Sequence, residues 1–112
     1  MEDDIVAEDI VNKLTAELFK TIGHPVRIKI LHLLRGGERC VCEMIEEVDI
    51  EQSNFSQHLG ILKKQGLLDS RKEGQRVIYW IAYPSVMQLL DAAEQTLGDQ
   101  ITHSQGLLKF LK

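Results

Sequence analysis

Cysteine is scarce: the 112 residues contain two, too few for a small secreted fold stapled by several bridges, so a reducing cytoplasm is expected. Prolines also number two, and no Pro/Gly-rich linker, internal repeat or low-complexity tract divides the chain. One domain over 1–112 is therefore expected. No uninterrupted apolar run approaches the roughly 20 residues of a membrane span, which argues against a transmembrane role. The opening MEDDIVAEDI has neither the basic start nor the apolar stretch of a secretory signal, in keeping with the cytoplasm. Missing too are a nucleophile–base–orienter set, a Gly-rich phosphate loop and an HExxH pair, so the sequence does not read as an enzyme.

What is present has the balance of a globular protein, 44% hydrophobic and 27% charged, which separates it from disordered chains. The net charge of -4 argues mildly against nucleic acid, but the charge is uneven. Residues 1–10 carry five acids and no base. Residues 51–82 carry five bases (Lys63, Lys64, Arg71, Lys72, Arg76) against Glu51, Asp69 and Glu73. Local patches of this kind, more than the total, govern association with phosphates, although a solvated mixed face has the same composition.

Apolar residues Ile10, Val11, Leu14, Leu18, Phe19 and Ile22 recur at steps of three and four and predict an amphipathic helix over about 8–22. Gly23 stops it and Pro25 opens a second helix to about Leu34, apolar around most of its circumference and so expected to be central. A short helix from about Val41 to Glu47, a turn through Asp49-Ile50, and a helix over about Gln52–Gln65 closed by Gly66 follow. In LLDSRKEGQRVIYWI the Glu73-Gly74 tip separates two strands of a hairpin, and Pro84 opens a fifth helix ending near Gly98. The tail from residue 99 to 112 is left open between helix and loose end. The order α-α-α-α-β-β-α predicts a mainly α (α+β) winged helix-turn-helix, with the helix-turn-helix at about 40–65 and the wing at about 67–82.

Turning Phe55, Leu59 and Leu62 inward at about 100° per residue sends Ser53, Asn54, Gln57, Gly60 and Ile61 outward, with Ser56 and His58 at the borders. Short polar side chains and amides there suit base edges in a major groove, and Lys63 and Lys64 suit a phosphate strand. Arg71, Lys72, Gln75 and Arg76 flank the hairpin tip, where cations track a backbone or enter a minor groove. For any single residue the alternative is a solvated helix face, with Gln52 or Ser53 capping the N-terminus.

The stretch GGERCVCEMIEEVDIEQSNFSQHLGILKKQGLLDSRKEGQRVIYWI closely resembles the ArsR/SmtB family of metal- and metalloid-responsive winged-helix repressors, and KTIGHPVRIKILHLL is similar to that family's second helix. Together they cover about residues 19–81. The matching motifs are the CVC pair, SQHLGIL, GLL and the RKEG tip. The resemblance implies a homodimer joined through its first and fifth helices (about 8–22 and 84–98), an imperfect inverted-repeat operator in double-stranded DNA, and repression relieved by an inducer. Two-fold symmetry reading two half-sites agrees with that geometry. Alternatively, the apolar stripes of those helices cover the core of their own subunit.

Cys40 and Cys42 lie beside Arg39 at a predicted helix N-terminus, which favours thiolate, and soft thiolates select soft ions. In the arsenic-responsive members that this segment resembles, a CVCxxC run supplies three sulfurs. Here Cys40 and Cys42 match the first two positions and Ile45 occupies the third. The resemblance thus implies a two-sulfur metal site, no constitutive cofactor, and an inducer such as As(III), Sb(III) or another thiophilic ion. Its third ligand has to be water, a small thiol or a group from elsewhere in the dimer. Residues 1–20 hold no cysteine or histidine for a cadmium- or lead-type site, and the family's zinc positions fall on Tyr83, Ser85, Thr96 and Asp99.

Residues i and i+2 of an intact helix project about 200° apart, so chelation is expected to unwind the first turn of the third helix. For the same reason an intramolecular disulfide is expected to be strained, with oxidation capping one thiol or bridging subunits. Redox or persulfide sensing by the same thiols, and two small buried hydrophobes without chemistry, are the alternatives. Among the histidines, His24 reads as a capping or surface residue and His32 as solvent-facing. His103, four residues after Asp99, makes at most half a metal site on a helical tail. The reading from another class is a winged helix that binds a protein partner through its wing and fourth helix.

Overall fold

Gly23 and Pro25 set the first boundary: a Cβ on Gly23 would sit 3.0 Å from the Phe19 carbonyl oxygen, so the first helix ends there in a close turn. The computed structural model describes residues 2–111. It contains α1 (Glu2–Ile22), α2 (Pro25–Leu33), β1 (Arg39–Cys40), α3 (Val41–Met44), a 3₁₀ turn (Ile45–Glu47), α4 (Gln52–Lys64), β2 (Leu68–Glu73), β3 (Arg76–Ile81) and α5 (Ser85–Leu111). This is the winged helix-turn-helix that the sequence predicts, with additions described below.

The chain divides into two compact units, one up to Ala82 and one from Tyr83. In the first, Ile30, Leu31 and Leu34 on or just after α2, Met44 of α3, and Phe55, Leu59 and Leu62 of α4 are buried. His24 caps α2 from an extended backbone, its Nδ1 accepting from the Val26 N–H at 3.1 Å, and Pro25 follows at the first helical position. At the end of α4 the chain reverses through Gly66 at φ +84°. There the Gly66 N–H donates to the Lys63 carbonyl at 2.9 Å and the Leu67 N–H to that of Leu62 at 3.0 Å, the paired bonds of a left-handed C-terminal cap. This cap sends the chain directly into the wing.

The sheet is antiparallel in the order β1-β3-β2. Leu68 pairs with Ile81 and Glu73 with Arg76, which leaves Gly74-Gln75 as a two-residue turn with Gly74 at φ +62°. A glycine at the first central position is what such a hairpin turn favours. The tip is thus one residue beyond the expected Glu73-Gly74. Strand β1, unforeseen in the sequence, pairs Arg39 with Tyr79 and Cys40 with Ile78. Two residues are too short to show a period-2 pattern.

Two helices also outrun their expected limits. The first begins at Glu2, not near residue 8, and α5 continues through Gly98 to Leu111, so the described part of the tail, residues 99–111, is helical, while residue 112 lies outside the described residues. An interior glycine costs about 1 kcal/mol relative to alanine, too little to end a helix whose apolar spacing continues at Leu97 and Ile101. In the second unit Val86, Met87 and Leu90 are buried, whereas Leu97 and Ile101 are exposed. Among the described residues, no helix is long and apolar enough to cross a membrane.

Candidate nucleic-acid interface and cysteine pair

The N-cap of α4 is the extended Glu51, and no side chain caps that end. Gln52 and Ser53 are therefore not used as caps. Ser53, Asn54, Ser56 and Gln57 are all exposed, and among the described residues their side chains make no hydrogen bond within the protein. Their amides and hydroxyls are open to a ligand over the N-terminal half of the helix. Ile61, expected on the same face, is half-buried.

His58 is placed differently. It is half-buried, its ring 4.3 Å from that of His24 between centroids, and its Nδ1 accepts from Arg27 Nε at 3.1 Å. Arg27 also donates to the Thr21 carbonyl at 2.9 Å, so one guanidinium joins the end of α1 to α4. Burial, then the neighbouring His24 and Arg27, push the His58 pKa below its ordinary value. His32, expected to face solvent, is half-buried as well.

The cations fall into two groups. Lys64 and Lys72 are exposed and, among the described residues, make no ion pair. Lys63 Nζ donates to Ser70 Oγ at 2.7 Å. The wing arginines are held by acids. Arg71 forks onto both carboxylate oxygens of Glu38 at 2.7 Å, reaches Glu73 at 3.3 Å, and lies 5.6 Å from the Trp80 ring centroid. The same hydrogen bonds push the Arg71 pKa up and hold Glu38 below the usual carboxylate range. Arg76 donates to Glu43 at 3.0 Å, and Glu43 is also 3.8 Å from Arg39, which donates to Glu47 at 2.7 Å. The sequence reading missed Glu38 and Glu43 as the acids that hold the wing. Their places immediately around the CVC run were the available signal.

Cys40 and Cys42 are joined in a disulfide, which corrects the expectation that such a link is disfavoured. That expectation placed both residues in a helix. Cys40 instead ends β1 and serves as the N-cap of α3 with an extended backbone (φ -73°, ψ 145°), so only Cys42 obeys the helical projection. The Cα atoms lie 5.2 Å apart, within the usual span of a disulfide, and no helical turn has to unwind for the sulfurs to meet. Cys40 Sγ also accepts from the Cys42 N–H at 3.1 Å. Cys40 is 2% exposed and Cys42 is exposed.

A cavity of about 330 Å³ runs from this disulfide to Gln52 and Ser56 of α4 and to Gln75 and Arg76 of the wing. The fold thus gathers both cysteines and three expected DNA-contacting residues (Ser56, Gln75, Arg76) around one opening. Ile45, in the third position of the sulfur motif, is half-buried. Asp99 and His103 share the helical α5, but Asp99 accepts from Gln95 at 3.1 Å. Among the described residues, no group of three or more His, Cys, Asp or Glu is placed to hold a metal.

An open polar face on the second helix of a helix-turn-helix, followed by a cationic hairpin, defines a winged-helix regulator of the DNA-binding class. Residues 24–70 match the family described as bacterial regulatory protein, arsR family. An uncharacterized HTH-type transcriptional regulator of Mycobacterium tuberculosis H37Rv, Rv0081, is 41% identical over 101 residues, covering 89% of each chain. The crystal structure of Rv0081 matches with a TM-score of 0.75 over 83% of this chain and 94% of that one.

The transcriptional repressor BigR from Xylella fastidiosa is 30% identical, with a TM-score of 0.71 over 86% of this chain and 95% of its own. The homodimeric winged helix-turn-helix DNA-binding domain of Mb0332 from Mycobacterium bovis is 28% identical, with a TM-score of 0.73 over 86% and 89%. The chain belongs to the arsR family of bacterial regulatory proteins; it is a DNA-binding transcription regulator and not an enzyme.

Proposed function

We propose that this protein is a cytoplasmic repressor that binds an inverted-repeat operator as a homodimer and releases it when Cys40 and Cys42 are oxidised to their disulfide. The observation that carries this reading is the shared cavity, which brings the disulfide to the first turn of α4 and to the wing. Ser53, Asn54, Ser56 and Gln57 read bases, His58 borders that face, and Lys63, Lys64, Arg71, Lys72, Gln75 and Arg76 meet the backbone. The whole chain works as one winged-helix domain, with α1 and α5 supplying the dimer contacts. In the oxidising step the two thiols give two electrons and two protons to a hydroperoxide, which leaves as an alcohol and water.

As(III) or Sb(III) at the reduced pair is the second reading. Cys40 outside the helix and Cys42 inside it bring two sulfurs together without unwinding, although a third ligand must come from solvent, a small thiol or the second subunit. Anisotropy of the reduced protein on DNA from upstream of its own gene tests both. A specific complex that hydroperoxide dissolves and dithiothreitol restores is expected. Cys40→Ser and Cys42→Ser should bind that DNA and ignore the oxidant. An unaltered response in both single variants would sink the thiol reading. Dissolution by arsenite under reducing conditions favours the metalloid inducer. A complex with a protein that tolerates salt, in place of steeply salt-dependent DNA binding, favours the interaction module.

A further inference from the structure

The two sulfurs of the disulfide are not equivalent. Both line the cavity beside α4, but Cys40 is 2% exposed and paired in the sheet with Ile78 at the edge of the core, whereas Cys42 is exposed. A reagent from solvent therefore meets Cys42 first. Displacement at Cys42 leaves the charge on Cys40, whose Sγ already receives the Cys42 N–H at 3.1 Å, and a thiolate accepts such a bond more strongly than a disulfide sulfur does.

We propose that Cys42 is the entry sulfur for low-molecular-weight thiols and disulfides, and that the mixed disulfide formed on it is seated in the cavity between α4 and the wing. This rests on the reading that the pair governs operator binding. In the reducing direction a small thiolate attacks Cys42 Sγ and the Cys40–Cys42 bond breaks. Cys40 leaves with the electron pair as a thiolate, and Cys42 carries the new bond to the small sulfur. In the oxidising direction Cys42 gives its proton to solvent and attacks a small disulfide, expelling one thiolate. Cys40 then loses its proton and attacks Cys42 Sγ, which closes the intramolecular link and expels the second thiolate.

The cavity, about 330 Å³, offers apolar walls at Val41, Leu59 and Val77 and polar groups at Gln52, Ser56 and Gln75. These surroundings fit a small, polar thiol. An adduct there occupies the end of α4 that is open for base contact, so the half-reacted protein is itself unable to bind the operator.

The full-length Cys40→Ser and Cys42→Ser variants, reacted with dithiobis-nitrobenzoate, test this. Cys40→Ser, which retains Cys42, should release nitrothiobenzoate at least about tenfold faster than Cys42→Ser and keep one label. The reduced native protein should release two equivalents and end unlabelled, with its link closed. Equal rates, or faster reaction of Cys42→Ser, overturn the assignment. If circular dichroism shows either variant unfolded, sub-stoichiometric iodoacetamide on the reduced native chain replaces them. Fragment mass spectrometry should then find the label on Cys42, and a label mainly on Cys40 overturns the proposal.

Labelled Cys40→Ser should lose at least about tenfold in operator affinity against the unlabelled variant, and unchanged affinity overturns the seating. Equal operator binding by the native dithiol and disulfide would defeat the control proposed above, while the label distribution still decides which sulfur reacts.

Discussion

His58 shows how one border position carries more than its place on a helical wheel reveals. Its ring lies against that of His24 at a tilt of 41°, and its Nδ1 accepts a hydrogen bond from Arg27, which requires that nitrogen to be unprotonated. Its pKa is lowered in the folded protein, first by burial. The unfolded chain takes up a proton near its ordinary value of about 6.5, whereas folded His58 resists until the pH is lower. Its contribution is therefore complete above about pH 6.5 and is lost as pH falls from there through the folded pKa. His58→Gln, with an amide oxygen able to accept from Arg27, should show a shallower fall in unfolding free energy between pH 7.5 and 5.5. Urea titrations at the two pH values measure this, and an equal fall in both proteins assigns the effect elsewhere. His24 was legible as a cap because it precedes Pro25. The side chosen by His58 was not, because a residue on the boundary of two faces is settled by partners more than 30 positions away, here Arg27 and His24.

At the scale of elements, the proposed function gives base reading to α4 and backbone contact to the wing. Asn54→Ala or Gln57→Ala should weaken specific operator binding by about 1–3 kcal/mol each while sparing non-specific DNA. Lys64→Ala or Lys72→Ala should weaken both and lower the salt slope by about one. Competition titrations at several salt concentrations separate the two patterns. Glu38 holds Arg71 in an ion pair, so if Arg71 meets a phosphate as proposed, Glu38→Gln should raise DNA affinity, by less than about tenfold because exposed ion pairs are weak, and steepen the salt dependence. Much of this architecture was legible: the stripe Phe55, Leu59, Leu62 and the stop at Gly66 locate α4 to within a residue. Strand β1 was not, since its two residues are held by partners on β3, and without it Cys40 was treated as sharing the first helical turn with Cys42. That one displaced residue is why the disulfide was expected to be strained.

At the scale of the whole molecule, α1 and α5 each present an exposed apolar stripe. Ile10, Val11 and Leu14 on α1 and Leu97 and Ile101 on α5 are each more than half exposed, an apolar burden unusual for a chain that acts alone. A second copy is the expected cover. Leu14→Glu or Leu97→Glu should shift sedimentation toward monomer at micromolar concentration and make the remaining dimer's melting temperature depend on protein concentration. For the proposed dimeric repressor, operator recognition depends on geometry as much as on affinity. Two recognition helices related by a two-fold axis meet one face of the duplex when half-sites lie about 34–36 Å, or 10–10.5 base pairs, apart. Inserting five base pairs between the half-sites turns the second one to the opposite face, so a dimer should lose most of its specific affinity, and the spaced operator should bind about as weakly as a single half-site. A protein acting as a monomer would bind the spaced and native operators alike, so the insertion decides whether the exposed stripes serve operator recognition or some other contact.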